Sequence, residues 1–513
     1  MALPDKLFEL IHSLSKSEKR YFKLYANFHK GNKNYLKLFD AVDAQQDYQE
    51  QEIKELFKKE KFAKQFPVTK NYLYNLIMKS LSAFYTNKFA DSQLKELIHH
   101  AEILNRKELY EHTAVILKKA KKIAYMHEKF IHLLDIIALE KRKEPLANFT
   151  SKEKIVKLAK EESDVLAKYN NHLEYWNLFA HTSHLTAKSG LPRTEAERKK
   201  YKAIIEHPLM HREERALSHL AKDRYYYLLG NYHHLIGDIE KSNEYSKKRL
   251  LLSESFPEKI KENPKLYIGL TNNYLFTCLA INAYHEFEIT LKKIKDFPSI
   301  HPTILTEGIS VKLFECIYTS ECSYIVQTGK TNITILIKQI EDGLNKFKGK
   351  LNKIPEMEIT FFAGYILFMN GNYKEALKWF FKIYNSHVAA RPDMQNAARI
   401  ITLFCYYELG NIENIEYLLT SVFRMLEKQR KLFLFEKMIL NFVKSISKTN
   451  DESEKTALFK QLKQELIKIS DVPDEKNFLI LFDVISWLES KIENKAFAEI
   501  VKEKAQEAIP SET

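Results

Sequence analysis

The residues in this chain best suited to hold a metal or act as a nucleophile are its 18 histidines and 4 cysteines. The nearest approach to metal-ligand spacing is His207 with His211 in EHPLMHREE. Pro208 belongs in the first turn of a helix with His207 just outside it, so the two imidazoles need not share a face. Two ligands also fall short of the set a stable site requires. His181 with His184, and the pairs His99, His100 and His233, His234, read as partly exposed helix residues. Cys278, Cys316, Cys322 and Cys405 form no CxxC pair, and their scatter reads as buried thiols in a reducing compartment, with neither disulfide nor zinc expected. There is no GxxxxGK, no GxGxxG after a strand, no GxSxG and no HExxH. The sequence therefore predicts no catalytic residue, no metal, no cofactor and a non-enzymatic protein.

A second kind of chemistry is anion binding. Residues 61 to 90 carry Lys61, Lys64, Lys70, Lys79 and Lys88 without one acid, around the stretch FPVTKNYLYNLIMKSLSAFY. Thr69 is the expected N-cap, and the preceding EQEIKELFKKEKF could pair with this helix as a helix-turn-helix presenting Lys70, Asn71, Asn75 and Lys79. Placing residues about 100° apart around the axis argues against base reading. Phe84, Ile77, Leu73, Leu81 and Leu76 form an apolar arc, widened by Tyr74, Tyr85 and Met78 to more than half the circumference, and so wide a face is buried. The strip that remains holds Asn71, Ser82, Asn75, Lys79 and Tyr72. Phosphate contact through Lys61, Lys64, Lys70, Asn71, Asn75, Lys79 and Lys88, without sequence reading, stays as an alternative.

The 12 glycines and 13 prolines in 513 residues fall far below the roughly 12% typical for the pair. Sheets and phosphate-cradling loops need those residues, whereas long helices need neither, so an all-α fold is expected. The net charge of +13 leans N-terminal, with 27 Lys or Arg against 19 Asp or Glu in residues 1 to 150. This favours solubility and a mild attraction to anions. MALPDKLFELIHSLSKSEKR has acids where a signal peptide has an apolar centre, and no run approaches about 18 apolar residues, so a cytoplasmic protein without membrane insertion is expected. Helices are predicted near 4–13, 16–28, 34–44, 50–60 and 69–86, with Ser15 and Glu18 as a capping box, and three more within 91–141. After the polar link SISKTNDESEKT come three others near 455–468, 476–491 and 494–508.

In GNYKEALKWFFKIYN, the residues Tyr373, Ala376, Leu377, Phe380 and Phe381 recur at helical steps after the apolar helix EITFFAGYILFMN, which predicts a tight hairpin turning at Asn370, Gly371 and Asn372. Gly364 precedes Gly371 by seven residues, as Gly230 precedes Gly237. Further turns are expected near His285, at Gly329 and at Gly410, giving spacings of 48, 44, 42 and 39 residues. This layout resembles the tetratricopeptide repeat, most closely at 357 to 385, although every spacing exceeds the usual 34. The resemblance implies an α-solenoid of helical hairpins over 91–445, between a basic helical block at 1–90 and a C-terminal helical cap at 446–513. It also implies groove-facing residues: Arg224, Tyr227, Asn231 and His234, then Phe361, Tyr365 and Phe368, then Phe404 and Tyr407. Asn231 matches the Asn with which family members grip a carboxylate, whereas Tyr227 stands where a basic residue would. Packing of the aromatics against the following repeat is the competing reading.

The expected function is that of an adaptor or scaffold holding a protein or peptide on the concave face. The alternatives are a nucleic-acid or ribonucleoprotein-associated regulatory factor using the basic N-terminal block, and a solenoid supporting an active site supplied by a partner.

Overall fold

The computed structural model describes residues 5–28, 34–86, 88–143, 152–189, 195–330, 333–384, 391–428, 434–469 and 481–508. Among them are 25 α-helices and no strand, as the scarcity of glycine and proline requires. The chain divides into two compact units, one within 1–184 and 207–225, the other within 185–206 and 226–513. The division falls inside the stretch the sequence assigns to a single solenoid.

The first unit begins with α1 (Lys6–Ser13), α2 (Lys16–Asn27), α3 (Asn34–Ala44), α4 (Glu50–Leu56) and α5 (Phe66–Tyr85). The Glu18 N–H donates to Ser15 Oγ at 3.3 Å and the Ser15 N–H to Glu18 Oε2 at 2.6 Å, so the capping box starts α2 as its sequence dictates. Thr69 does not cap α5. The helix starts one turn earlier, with Pro67 in its first turn, and the Thr69 hydroxyl donates back to the Gln65 carbonyl at 3.3 Å. Phe66, Leu73, Leu76 and Ile77 of α5 join Ile11, Phe22, Leu38 and Phe39 in one core.

A second core in this unit joins α6 (Ala90–Arg106), α7 (Tyr110–Met126), α8 (Phe130–Lys143) and α9 (Lys152–Ser189). Its turns lack glycine. Glu108 and Glu128 occupy the left-handed region instead, at φ 61° and 51°. The Glu128 carboxylate then accepts the His219 and Leu220 N–H groups at 2.8 and 3.0 Å, satisfying two donors at the start of a later helix.

The second unit takes in α10 (Glu195–Ile205), most of α11 (His219–Leu235), α12 (Ile239–Glu254), α13 (Pro257–Glu262), α14 (Pro264–Ala280), α15 (Tyr284–Ile300), α16 (Glu307–Thr328) and α17 (Thr334–Lys346). It continues through α18 (Lys353–Met369), α19 (Tyr373–Tyr384), α20 (Pro392–Glu408), α21 (Ile412–Lys428), α22 (Leu434–Ile446), α23 (Glu452–Ile469), α24 (Val484–Glu493) and α25 (Phe497–Glu507). Hairpins turn at Gly237, Asn282, Gly329, Gly371 and Gly410, all at positive φ. The turn expected near His285 lies three residues earlier, at Asn282. The first helices of consecutive hairpins pack together, α14 on α16, α16 on α18 and α18 on α20. Gly364 permits one close approach: a Cβ there would lie 3.0 Å from the Phe380 ring and 3.1 Å from Trp379 Cβ.

Pro208 opens a single 3-10 turn, Pro208–Met210, with His207 just outside it. The His207 Nδ1 accepts the Leu209 N–H at 3.3 Å, which turns that imidazole to the backbone. Among the described residues no three His, Cys, Asp or Glu side chains gather where a metal could bind, and no helix is long and apolar enough to cross a membrane. The four cysteines are buried and unbridged.

Candidate functional site

The polar groove cluster is divided by the boundary between the units. Arg224 lies in the first, its guanidinium 4.2 Å from the Phe179 ring centroid. Tyr227, Asn231 and His234 lie in the second, where they line one cavity of about 340 Å³ between α11, α12 and α14. Gly230 helps shape it, since a Cβ there would come 3.3 Å from Tyr245 Cβ. The adjacent histidines take different jobs. His233 Nδ1 lies 3.0 Å from an Asp238 carboxylate oxygen, while the other oxygen accepts the Lys241 N–H and caps α12. His234 faces the cavity edge-on to Phe276, at 6.1 Å between ring centroids.

On the opposite wall, the Arg249 guanidinium lies 5.0 Å from the Tyr227 ring centroid. Asn231 Nδ2 is a buried donor without a hydrogen-bond partner, which is costly for a polar group unless a ligand or water meets it. Phe276 is 59% exposed, an aromatic that folding leaves in solvent. Phe276 and Asn273 also line a second cavity of about 740 Å³, whose other lining residues include some from α16 and α18 as well as Asp483 and Lys504. The two depressions thus adjoin at Asn273 and Phe276. Among the residues lining the second, Gln327 donates to the Leu279 carbonyl at 3.0 Å and to Asn282 Oδ1 at 2.8 Å. Glu358 lines it too. Burial raises its carboxyl above the usual range, although Arg391 Nη1 sits 2.6 Å away and opposes the shift.

The aromatic part of the expected groove is corrected by the packing. Phe361, Tyr365 and Phe368 are buried, and the chain's own C-terminal segment covers the latter two. Phe482 and Phe497 meet Tyr365 at 5.9 and 6.3 Å and Phe368 at 5.9 and 6.0 Å, all close to edge-on. Trp487 lies 4.7 Å from Phe404 and 6.1 Å from Tyr407. Aromatic rings bury large apolar areas, so an internal partner of matching shape takes the surface a ligand would have used. Residues 470–480, within which the penultimate C-terminal helix was expected to begin, lie outside the described residues.

The phosphate-contact set is also divided. Asn71, Asn75 and Lys79 share the exposed face of α5, with Asn75 Nδ2 donating to Asn71 Oδ1 at 3.4 Å, and Lys64 is exposed. Lys70 is withdrawn from it: its ammonium pairs with Asp5, bonds Tyr48 Oη at 2.7 Å and pairs with Glu50 at 2.9 Å. Burial opposes its charge, but these three partners outweigh that and push its pKa up. Lys88 Nζ lies 3.3 Å from the Phe84 ring centroid. The Lys61 side chain lies outside the described residues. Sequence reasoning could not find Asp5 and Glu50 as partners because they come from other helices.

No family model matches the chain, and no curated protein matches it in sequence.

Proposed function

We propose that this protein is a scaffold of tetratricopeptide-like helical hairpins, acting in the cytoplasm, that holds an extended segment of another protein in the groove lined by α11, α14 and α16. The observation that carries this reading is the unpartnered Asn231 Nδ2, in the cavity that the exposed Phe276 ring also lines. A peptide group offers a donor and an acceptor side by side, and an Asn or Gln amide is the neutral side chain that answers both. Asn231, Asn272 and Asn273 place such amides along the two adjoining cavities. Phe276, at their junction, offers an apolar seat for one side chain of the segment. Arg249 places a guanidinium on the wall of the α11–α12–α14 cavity. The bound segment therefore carries an acid, or its terminal carboxylate, toward Arg249.

The full chain should select peptides from a displayed random library, and the selected peptides should share an apolar residue and an acid. Binding of a selected peptide should weaken at least tenfold, about 1.4 kcal/mol, in Phe276→Glu. Selection of nothing, or peptides that bind Phe276→Glu equally well, would refute the groove.

A further inference from the structure

The first unit carries a second depression, unlike the groove in every chemical respect. It has a volume of about 560 Å³ and lies between α7 and α9. Six lysines line it, Lys118, Lys121 and Lys122 from α7 and Lys157, Lys160 and Lys168 from α9, against only Glu161 and Asp164. Of the two lining acids Glu161 is already paired, whereas Asp164 is exposed. Lys121 Nζ sits 2.7 Å from both Glu140 and Glu161, the Tyr125 hydroxyl donates to Glu161, and Lys141 pairs with Glu162. Lys118, Lys122, Lys157, Lys160 and Lys168 are all exposed, and none has a carboxylate within ion-pair distance among the described residues.

Folding thus neutralises the one central lysine and leaves five around it. So many like charges brought together repel one another, and an anion of matching extent relieves that repulsion. Along α7, Lys118 and Lys122 are about 6 Å apart, and along α9 Lys157 and Lys168 span about 16 Å. That length is enough to follow several phosphates of one strand. Tyr125 adds the second element. Its hydroxyl is held by Glu161 while the residue stays 43% exposed on the wall, so the ring is the part available, as a platform for stacking a base.

We propose that the α7–α9 face binds single-stranded nucleic acid through its phosphate backbone, with a base stacked on Tyr125 and no sequence reading. Stacking on a tyrosine needs an unpaired base, which favours a single strand over a duplex. It also favours a strand over an acidic peptide, which brings charge without a flat ring. The basic site is then on α7 and α9, away from the α5 strip of Asn71, Asn75 and Lys79, and it does not depend on the peptide groove.

Fluorescence anisotropy of the full-length protein with a labelled mixed-sequence RNA 20-mer, and with the matching DNA strand, tests this. Both should bind at about 50 mM salt, with log affinity falling against log salt at a slope of about −3.5 for five lysines. Lys118→Glu with Lys122→Glu and Lys160→Glu should weaken binding at least tenfold, and the same three positions changed to Gln should weaken it with an unchanged melting temperature. Tyr125→Ala should weaken it several-fold, while Lys64→Glu with Lys79→Glu should leave it unchanged. The proposal is overturned by absence of binding at low salt, by tighter binding of duplex than of single strand, by equal competition from polyglutamate, or by loss only in the Lys64 and Lys79 variant.

Discussion

The backbone N–H of Asp483 donates to the hydroxyl of Tyr365 at 3.1 Å, across 118 residues of sequence. Tyr365, expected from the sequence to face a ligand, is instead a buried anchor for the chain's own C-terminal segment, and only 2% of it is exposed. A fully buried phenol needs a partner for its hydroxyl, and a free backbone donor next to Phe482 supplies one. The aromatic face is thereby covered, while Phe276 on α14 stays 59% exposed.

Trp487 should be the main energetic link in that closure. Its indole N–H donates to Glu408 Oε1 at 2.7 Å, and its ring packs against Phe404 at 4.7 Å and Phe459 at 5.8 Å. Trp487→Ala should cost about 3–5 kcal/mol in urea unfolding, with Trp487→Phe costing less because an aromatic remains. A loss under about 1 kcal/mol for the alanine variant would mean that the segment is only loosely docked.

Gly329 and Gly410 make a controlled pair. Both adopt positive φ, 65° and 68°, so an added Cβ strains both alike. A Cβ at Gly329 would also lie 2.3 Å from the Ala498 carbonyl oxygen and 2.7 Å from the Lys502 nitrogen, whereas at Gly410 nothing lies within 4 Å. Gly329→Ala should therefore accelerate hydrogen exchange across Phe497–Glu507, and Gly410→Ala should not. Equal exchange in the two variants would remove α25 from this contact.

Acid should loosen the N-terminal helices through Glu50. Hydrogen bonds from Lys54, then Lys70 and Tyr48, hold its carboxyl down at about 2 against an ordinary 4.5. Because the folded value is the lower one, the stabilisation is complete above the ordinary value and is lost as pH falls toward 2. The melting difference between the wild type and Glu50→Gln should be widest near neutrality and close toward pH 2. A difference constant with pH would show that charge plays no part.

The cysteines should be silent in the folded protein. Burial pushes Cys316 up to about 12 and raises Cys278, Cys322 and Cys405 as well, so little thiolate is present near neutral pH. Iodoacetamide followed by mass analysis should modify none of the four in the native state and all four in urea. Rapid native labelling of any one would place it at an accessible surface.

Local features were the legible ones. Ser15 with Glu18, the hairpin turns at Gly237, Gly371 and Gly410, and the close approach at Gly364 follow from residue type and spacing, because each is decided within a few residues of chain. The partners of Tyr365 and of Lys70 were not legible, because 118 residues separate Tyr365 from Asp483 and 65 separate Lys70 from Asp5. Periodicity shows that a face is apolar without naming what covers it. The turns at Glu108 and Glu128 escaped for another reason: a residue other than glycine adopts the left-handed conformation there. Gly343 was missed as well, although a Cβ there would enter the Phe314 ring at 1.9 Å. Within the candidate groove, Tyr227, Asn231 and His234 carried a recognisable spacing. Phe276 and Arg249 carried none, and only folding brings them to the same cavity.

The most direct measurement is site-specific photocrosslinking in cells, with a photoreactive phenylalanine analogue at Phe276 or at Tyr417. Tyr417, 82% exposed on α21, lines neither groove cavity and controls for simple accessibility. The expected result is a discrete crosslinked protein from position 276, absent from position 417, resistant to nuclease and reduced when Asn231→Ala is added. No discrete product at 276, or the same products from both positions, would contradict a peptide-holding groove on α11, α14 and α16.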